Sequence, residues 1–120
     1  MNFIKLVPNI FYKNISGGLK TFVNCLEFTV GYEELSAEQP FCVVEKGDLR
    51  INLFQNQQLA AEHHPEFRLV TDNIEEVYEK IKAKYPELLH PNLNGITLRP
   101  WGAKEFALMD EQIGIIIQQW

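Results

Sequence analysis

The chain has no apolar run near the ~18 residues a helix needs to cross a bilayer; its longest apolar stretches are strand-sized. It has two cysteines, Cys25 and Cys42, and no CxxC pair, so nothing in their spacing points to a metal or redox centre. Cys25 falls in an apolar helical pattern and Cys42 in an apolar strand, the usual settings of buried thiols, and a reducing cytosol disfavours a disulfide between them. Positive charge is scarce: 11 Lys and Arg stand against 16 Asp and Glu, a net charge of −5. The closest basic group, Lys80, Lys82 and Lys84, shares its stretch with Glu76 and Glu79, as on a solvated helix face, so a phosphate-backbone partner is disfavoured. Gly17 and Gly18 lack every other element of a phosphate loop, and no Ser/His/Asp or Cys/His set is discernible. The opening MNFIKLVPN has neither an apolar h-region nor a small-residue cleavage site. The expectation is a cytoplasmic protein with no membrane or nucleic-acid partner.

What is present is one domain's worth of ordinary globular sequence: 120 residues, 46% hydrophobic and 22% charged. Asn73 to Tyr85 reads as a helix, with Asn73 as cap, Glu76 completing a capping box, an apolar stripe of Ile74, Val77, Tyr78, Ile81 and Tyr85, and Pro86 as stop. Glu76 stands four residues before Lys80, the favourable order for a surface pair. An earlier helix is capped by Ser16 and carries Leu19, Phe22, Val23 and Leu26, with Gly17 and Gly18 weakening its first turn. Strand-like runs precede both helices, Leu6 to Tyr12 and Phe67 to Thr71. With Asn14 placed on Asn73, Ile15 falls on Ile74, Leu19 on Tyr78, Phe22 on Ile81 and Leu26 on Tyr85. Each half then continues with strand, charged turn, strand: Phe41 to Glu45 and Leu49 to Phe54, then Phe106 to Met109 and Ile113 to Gln118. The reading is an α+β domain over residues 1–120 made of two like modules, about 1–60 and 61–120, joined by the polar segment 55–65.

Two βαβββ modules in series are the layout of the vicinal-oxygen-chelate fold, with curved mixed sheets. The run Arg99-Pro-Trp-Gly-Ala-Lys-Glu-Phe-Ala-Leu-Met-Asp110 resembles the "PWG…EFAL.D" of bleomycin-resistance proteins. Leu49 to Phe54 after Lys46-Gly47-Asp48 resembles their "(R/K)GDL.L.(L/F)F" strand, and Val7-Pro8 with Asn14-Ile15 and Phe22 resembles their first strand and helix. The chain departs from them at Asp110 to Gly114, where "DPDG" is frequent, and in a longer loop between Tyr32 and Phe41. The resemblance implies the glyoxalase/bleomycin-resistance fold; function has to be argued from the site.

Metal-dependent proteins of this superfamily take one ligand from the first and one from the last strand of each module. Here those positions fall on Val7 and Glu66, and on Asn52 and Ile117; one more residue in the last turn would bring Gln118 to the final position. Val and Ile offer no donor atoms, so one amide and one carboxylate remain, too few for a catalytic ion. No metal and no cofactor is expected. His63 and His64 lie in the polar segment beside Glu62 and Glu66 and read as surface residues, and His90, between Leu89 and Pro91, as structural or surface.

In the bleomycin-resistance proteins a drug lies in a groove at a dimer interface against aromatic rings. The resemblance puts Tyr32, Phe41 and Trp101 at such positions, and rings of this kind stack on planar or cationic ligands. Packing is the competing role for Tyr32 and Phe41; Trp101, between Pro100 and Gly102, belongs to a turn. Arg99 and Glu105 add charged contacts, with the surface as their default place, and Trp120 reads as packing or fraying. The functional expectation is a homodimer that sequesters a planar, cationic small molecule without catalysis. An enzyme of the same superfamily, a lyase, isomerase or thiol transferase with an atypical or metal-free site, is the alternative, and a binder of an unrelated metabolite is a third.

Overall fold

In the computed structural model, which describes residues 1–120, the two asparagines at equivalent places each start a helix. Asn14 Oδ1 accepts from the Ser16 amide at 3.0 Å and Asn73 Oδ1 from the Glu76 amide at 3.3 Å. Each side chain thereby satisfies one of the donors that a helix start leaves unpaired. The chain divides into two compact units, Met1–His63 and His64–Trp120.

In the first unit, β1 (Asn9–Tyr12) leads into α1 (Ile15–Leu19), which continues as a π-helical turn over Lys20–Cys25. Then follow β2 (Thr29–Glu34), β3 (Phe41–Lys46), β4 (Leu49–Gln55) and α2 (Gln57–Glu62). The strands lie in the order β1-β4-β3-β2, with β1 parallel to β4 and the other pairs antiparallel. Ile10, Tyr12, Cys42, Val44, Ile51 and Leu53 are buried on one face of this sheet, and Ile15, Phe22 and Cys25 are buried on the helix. Gly18 is what allows the close approach: a Cβ there would lie 2.7 Å from Cε2 of Tyr12.

Four expectations change here. The cap is Asn14 and not Ser16, because the amide of Ser16 is the one that needs an acceptor. The inner face of the helix is Ile15, Gly18, Thr21, Phe22 and Cys25, while Leu19, Val23 and Leu26 are half-buried. The i→i+5 spacing of the π turn rotates its residues out of a 3.6-residue stripe. The segment 55–65 is not a plain linker. Asn56 caps α2 through Leu59 N (2.9 Å), and Ala60 is fully buried. The first strand starts at Asn9 rather than Leu6; Pro8 has no amide for the ladder, though its carbonyl accepts from Asn52 N at 2.9 Å. Residues 1–8 have no regular structure, and Met1, Phe3, Ile4 and Leu6 are exposed.

The second unit repeats the plan: β5 (Glu66–Val70), α3 (Ile74–Lys84), a 3-10 turn at Pro86–Leu88, β6 (Thr97–Leu98), β7 (Lys104–Met109) and β8 (Gly114–Gln119). The sheet order is β5-β8-β7-β6, with β5 parallel to β8. Ile74 and Ile81 of α3 are buried, and Tyr78 meets Phe106 edge-on, centroids 5.1 Å apart. Phe106, Leu108, Ile115 and Ile117 complete this core. Asp110 Oδ1 accepts from the amides of Gln112 (2.7 Å) and Ile113 (2.9 Å) and so closes the β7–β8 turn without a "DPDG" sequence. Strand, helix and three further strands in each half make the chain α+β, with two mixed four-stranded sheets.

Candidate functional site

Side chains paired across neighbouring strands share a face, and the face flips at every residue. On the sheet face of the first unit away from the Cys42 and Val44 core, a row of aromatic rings crosses all four strands. Phe11 of β1 stacks on Phe54 of β4 (centroids 5.6 Å), Phe54 on Phe41 of β3 (5.8 Å), and Phe41 lies 5.8 Å from Tyr32 of β2. At the β1 end the His63 ring lies 6.0 Å from Phe11. The three phenylalanines are half-buried, and Tyr32 is 55% exposed. A cleft of about 600 Å³ opens over the three phenylalanines, lined by Phe11, Phe41, Phe54, Pro40 and Leu59 and by Glu34 and Glu38. Carboxylates beside stacked rings suit a flat, positively charged molecule. The structure thus brings Tyr32 and Phe41 together and adds Phe11, Phe54 and His63, which the sequence reading missed. The signal was there: Phe11 and Phe54 stand two residues beyond Asn9 and Asn52, so a period of two puts them on one face.

The second unit places Trp101, Arg99 and Glu105 together. Trp101 lies in the turn closed by Gly102 N to Arg99 O (2.9 Å), with Gly102 at φ +99°, and its ring is 49% exposed. Glu105 is not a surface residue: it is 1% exposed, on β7 opposite Gln118 of β8. Its Oε2 accepts from Gln118 Nε2 (2.7 Å) and from Trp101 Nε1 (3.3 Å). Arg99 Nε lies 3.4 Å from Glu105 Oε1, and Arg68 Nε of β5 lies 3.9 Å from Oε2. The Arg99 guanidinium also sits over the Trp101 ring, 5.0 Å from its centroid. That ring face therefore already carries a cation. Trp120 is exposed, and its Nε1 donates to Gln118 Oε1 at 3.1 Å, so it props the glutamine and does not fill a core.

The histidines are local. His64 Nδ1 lies 3.2 Å from the Gln112 carbonyl, and His90 Nδ1 accepts from the Asn92 amide at 3.0 Å. They line, with Glu66 and Asp110, a smaller cleft of about 240 Å³, but no three His, Cys, Asp or Glu side chains converge as a metal cluster.

No family profile matches the chain, and no curated protein matches it in sequence. Solved structures match it from end to end. A bleomycin-binding protein complexed with bleomycin is 19% identical, with a TM-score of 0.72, over 98% of this chain and 99% of that one. The bleomycin-binding protein of bleomycin-producing Streptomyces verticillus, complexed with copper(II)-bleomycin, is 16% identical, with a TM-score of 0.68, over 98% and 96%. A glyoxalase/bleomycin resistance protein/dioxygenase superfamily member from Sphaerobacter thermophilus is 14% identical, with a TM-score of 0.72, over 98% of both chains. The chain has the glyoxalase/bleomycin-resistance fold.

At the four positions where the resemblance would place metal ligands, the side chains offer few donors. Val7 precedes the β1 ladder and has no donor atom. Asn52 uses its amide on Asn9, Nδ2 to Oδ1 at 3.0 Å. Glu66 is exposed and pairs with Gly114. Ile117 is a correction: it is 2% exposed, opposite Phe106 in the core and on the face away from Glu66. In the first unit Asn52 pairs with Asn9; in the second, Ile116 pairs with Arg68, which stands 59 residues after Asn9, as Asn73 does after Asn14. The residue equivalent to Asn52 is therefore Ile116, which is equally without a donor. The slip of one arose in the Asp110–Ile113 turn, and one residue reverses the face of a strand.

Proposed function

We propose that this chain is a small-molecule-binding protein of the bleomycin-resistance kind, which sequesters a planar, cationic ligand as a homodimer without making or breaking bonds. The observation that carries the reading is the aromatic row Phe11-Phe54-Phe41-Tyr32, whose three phenylalanines line a cleft together with Glu34 and Glu38. Trp101 is a second ligand-contacting ring in this proposal, with Arg99 and Glu105 as its charged neighbours. Shared fold with proteins solved with bleomycin bound supports the ligand class.

Dimerisation is supported by what each unit leaves uncovered. Each sheet is open, with β1 and β2 as edges of one and β5 and β6 of the other, and the apolar Met1, Phe3, Ile4 and Leu6 are exposed. Open edges and exposed apolar side chains are what a symmetric partner covers. Neither cysteine forms a disulfide and no helix is long and apolar enough to cross a membrane; we place the protein in the cytoplasm. The donor-poor ligand positions favour binding over the metal-dependent lyase, isomerase and thiol-transferase reactions of the superfamily. Calorimetric titration with metal-free bleomycin tests the proposal, with Phe41→Ala and Phe54→Ala as variants. Saturable binding that both variants weaken supports it. Binding that neither variant alters would refute the aromatic row as the site, and conversion of a glyoxalase-type substrate would refute the absence of catalysis.

A further inference from the structure

We infer that Arg68 and Arg99 form a receptor for a carboxylate carried by a small, flat molecule. The inference rests on Trp101 being a ligand-contacting ring. It assigns an anionic group to the Trp101 site of the second unit, whereas the positive charge of the proposed ligand belongs to the aromatic row and the carboxylates of Glu34 and Glu38 in the first unit. Two guanidiniums converge on one buried carboxylate, yet neither hydrogen-bonds to it: Arg99 Nε is 3.4 Å from Glu105 Oε1 without forming a bond, and Arg68 Nε is 3.9 Å from Oε2. Oε2 is occupied instead by the neutral donors Gln118 Nε2 and Trp101 Nε1, and Gln118 is held in turn by Trp120 Nε1. Glu105 is thus oriented by neutral groups and holds two like charges near each other through its own charge.

A structural arginine–carboxylate pair spends its donors in a fork of two parallel bonds. Here the donors are unspent. Arg99 Nε is buried with no hydrogen-bond partner, a costly state for a charged group unless something else completes it. Both side chains remain reachable, with relative exposures of 48% for Arg68 and 35% for Arg99. Glu66, the one acid of β5 and on the same face as Arg68, forms no ion pair with it. Two guanidiniums against one carboxylate leave one net positive charge. A monoanionic carboxylate brings the cluster to neutrality, a phosphate dianion overshoots it, and a cation is repelled. The planar fork of Arg99, already stacked on Trp101, presents its edge to a carboxylate while the ring offers area to the flat body bearing it.

The test titrates the wild-type protein with 2-naphthoate, 2-naphthamide and 2-naphthylmethylammonium. The Trp101 indole and Arg99 Nε–H signals are followed by ¹⁵N NMR, which separates Trp101 from Trp120. The carboxylate should bind about ten-fold more tightly than the amide, and the cation most weakly. In Arg99→Gln and in Arg68→Gln the preference for carboxylate over amide should fall to within about two-fold. Circular dichroism establishes that the variants are folded, and both positions are exposed enough to tolerate the change. Equal binding of carboxylate and amide, or a preference that survives both substitutions, overturns the inference. If the amide moves the Trp101 indole and the carboxylate gains nothing, the inference fails alone; if no probe moves the indole, the ligand-contacting role of Trp101 fails with it.

Discussion

Gln119 accepts a hydrogen bond from the backbone amide of Ile74 at 2.8 Å, joining the end of β8 to the first residue of α3. Gln55, at the end of β4, does the same for Ile15 at 3.0 Å. The first amides of a helix have no partner within it, so each glutamine completes what the asparagine cap begins. Gln119→Ala is expected to destabilise the protein by about 1 kcal/mol and Gln55→Ala by a similar amount, the usual worth of such a bond. Urea unfolding of the two single variants measures it; a change within error for both would show the bonds to be incidental.

This pair of bonds also shows how far the sequence was legible. The repeat was readable because Asn14 and Asn73, Ile15 and Ile74, and Phe22 and Ile81 stand at one offset and do the same work in each half. The offset of the last strands was not, because it depends on the β7–β8 turn. Asp110 accepts there from two amides in a loop whose length no turn motif announced, so Ile117 was placed one residue off. Tyr32, Phe41 and Trp101 are singled out only by likeness to a known pattern. Phe11 and Phe54 are not singled out by the sequence, because periodicity does not tell which face of a strand is covered. The burial of Glu105 was hidden for a different reason: it depends on Gln118, Arg68 and Arg99, which come from other strands and a turn.

Cys42 is fully buried on β3, opposite Glu33 of β2. Burial, and then the charge of Glu33, pushes its thiol above the ordinary range. A pKa raised in the folded state means that the native protein holds its proton where the unfolded chain has lost it. The contribution is therefore complete below the ordinary thiol pKa and is lost as pH rises from there through the folded value. Wild-type stability to urea is expected to decline over that alkaline window, and the decline is expected to be shallower in Cys42→Ala. Parallel pH profiles for the two proteins would contradict this.

Phe3 and Ile4 are exposed, and the proposed homodimer is expected to cover them. Sedimentation velocity at micromolar concentration is expected to show a dimer. Phe3→Asp/Ile4→Asp is expected to shift the distribution toward monomer while leaving far-UV dichroism intact, because neither side chain belongs to the core of the first unit. A monomer in the wild type, or an unaltered dimer in the variant, would remove this segment from the interface.

Trp101 separates a binding role from a packing role most sharply. Its ring is 49% exposed, and its ties to the protein are one hydrogen bond to Glu105 and the Arg99 guanidinium above it. Trp101→Ala removes no buried ring, so the loss of stability should be limited to about 1 kcal/mol from the hydrogen bond. Affinity for a flat ligand should fall by about 1–3 kcal/mol, the range found when an aromatic side chain that stacks on a base is removed. Trp101→Phe keeps an aromatic face and loses the indole N–H, so it should recover most of the affinity while sharing the small loss of stability. The packing role requires the opposite pattern, a sharp fall in melting temperature with affinity unchanged. Calorimetry on the alanine and phenylalanine variants, set beside their thermal melts, decides between the two.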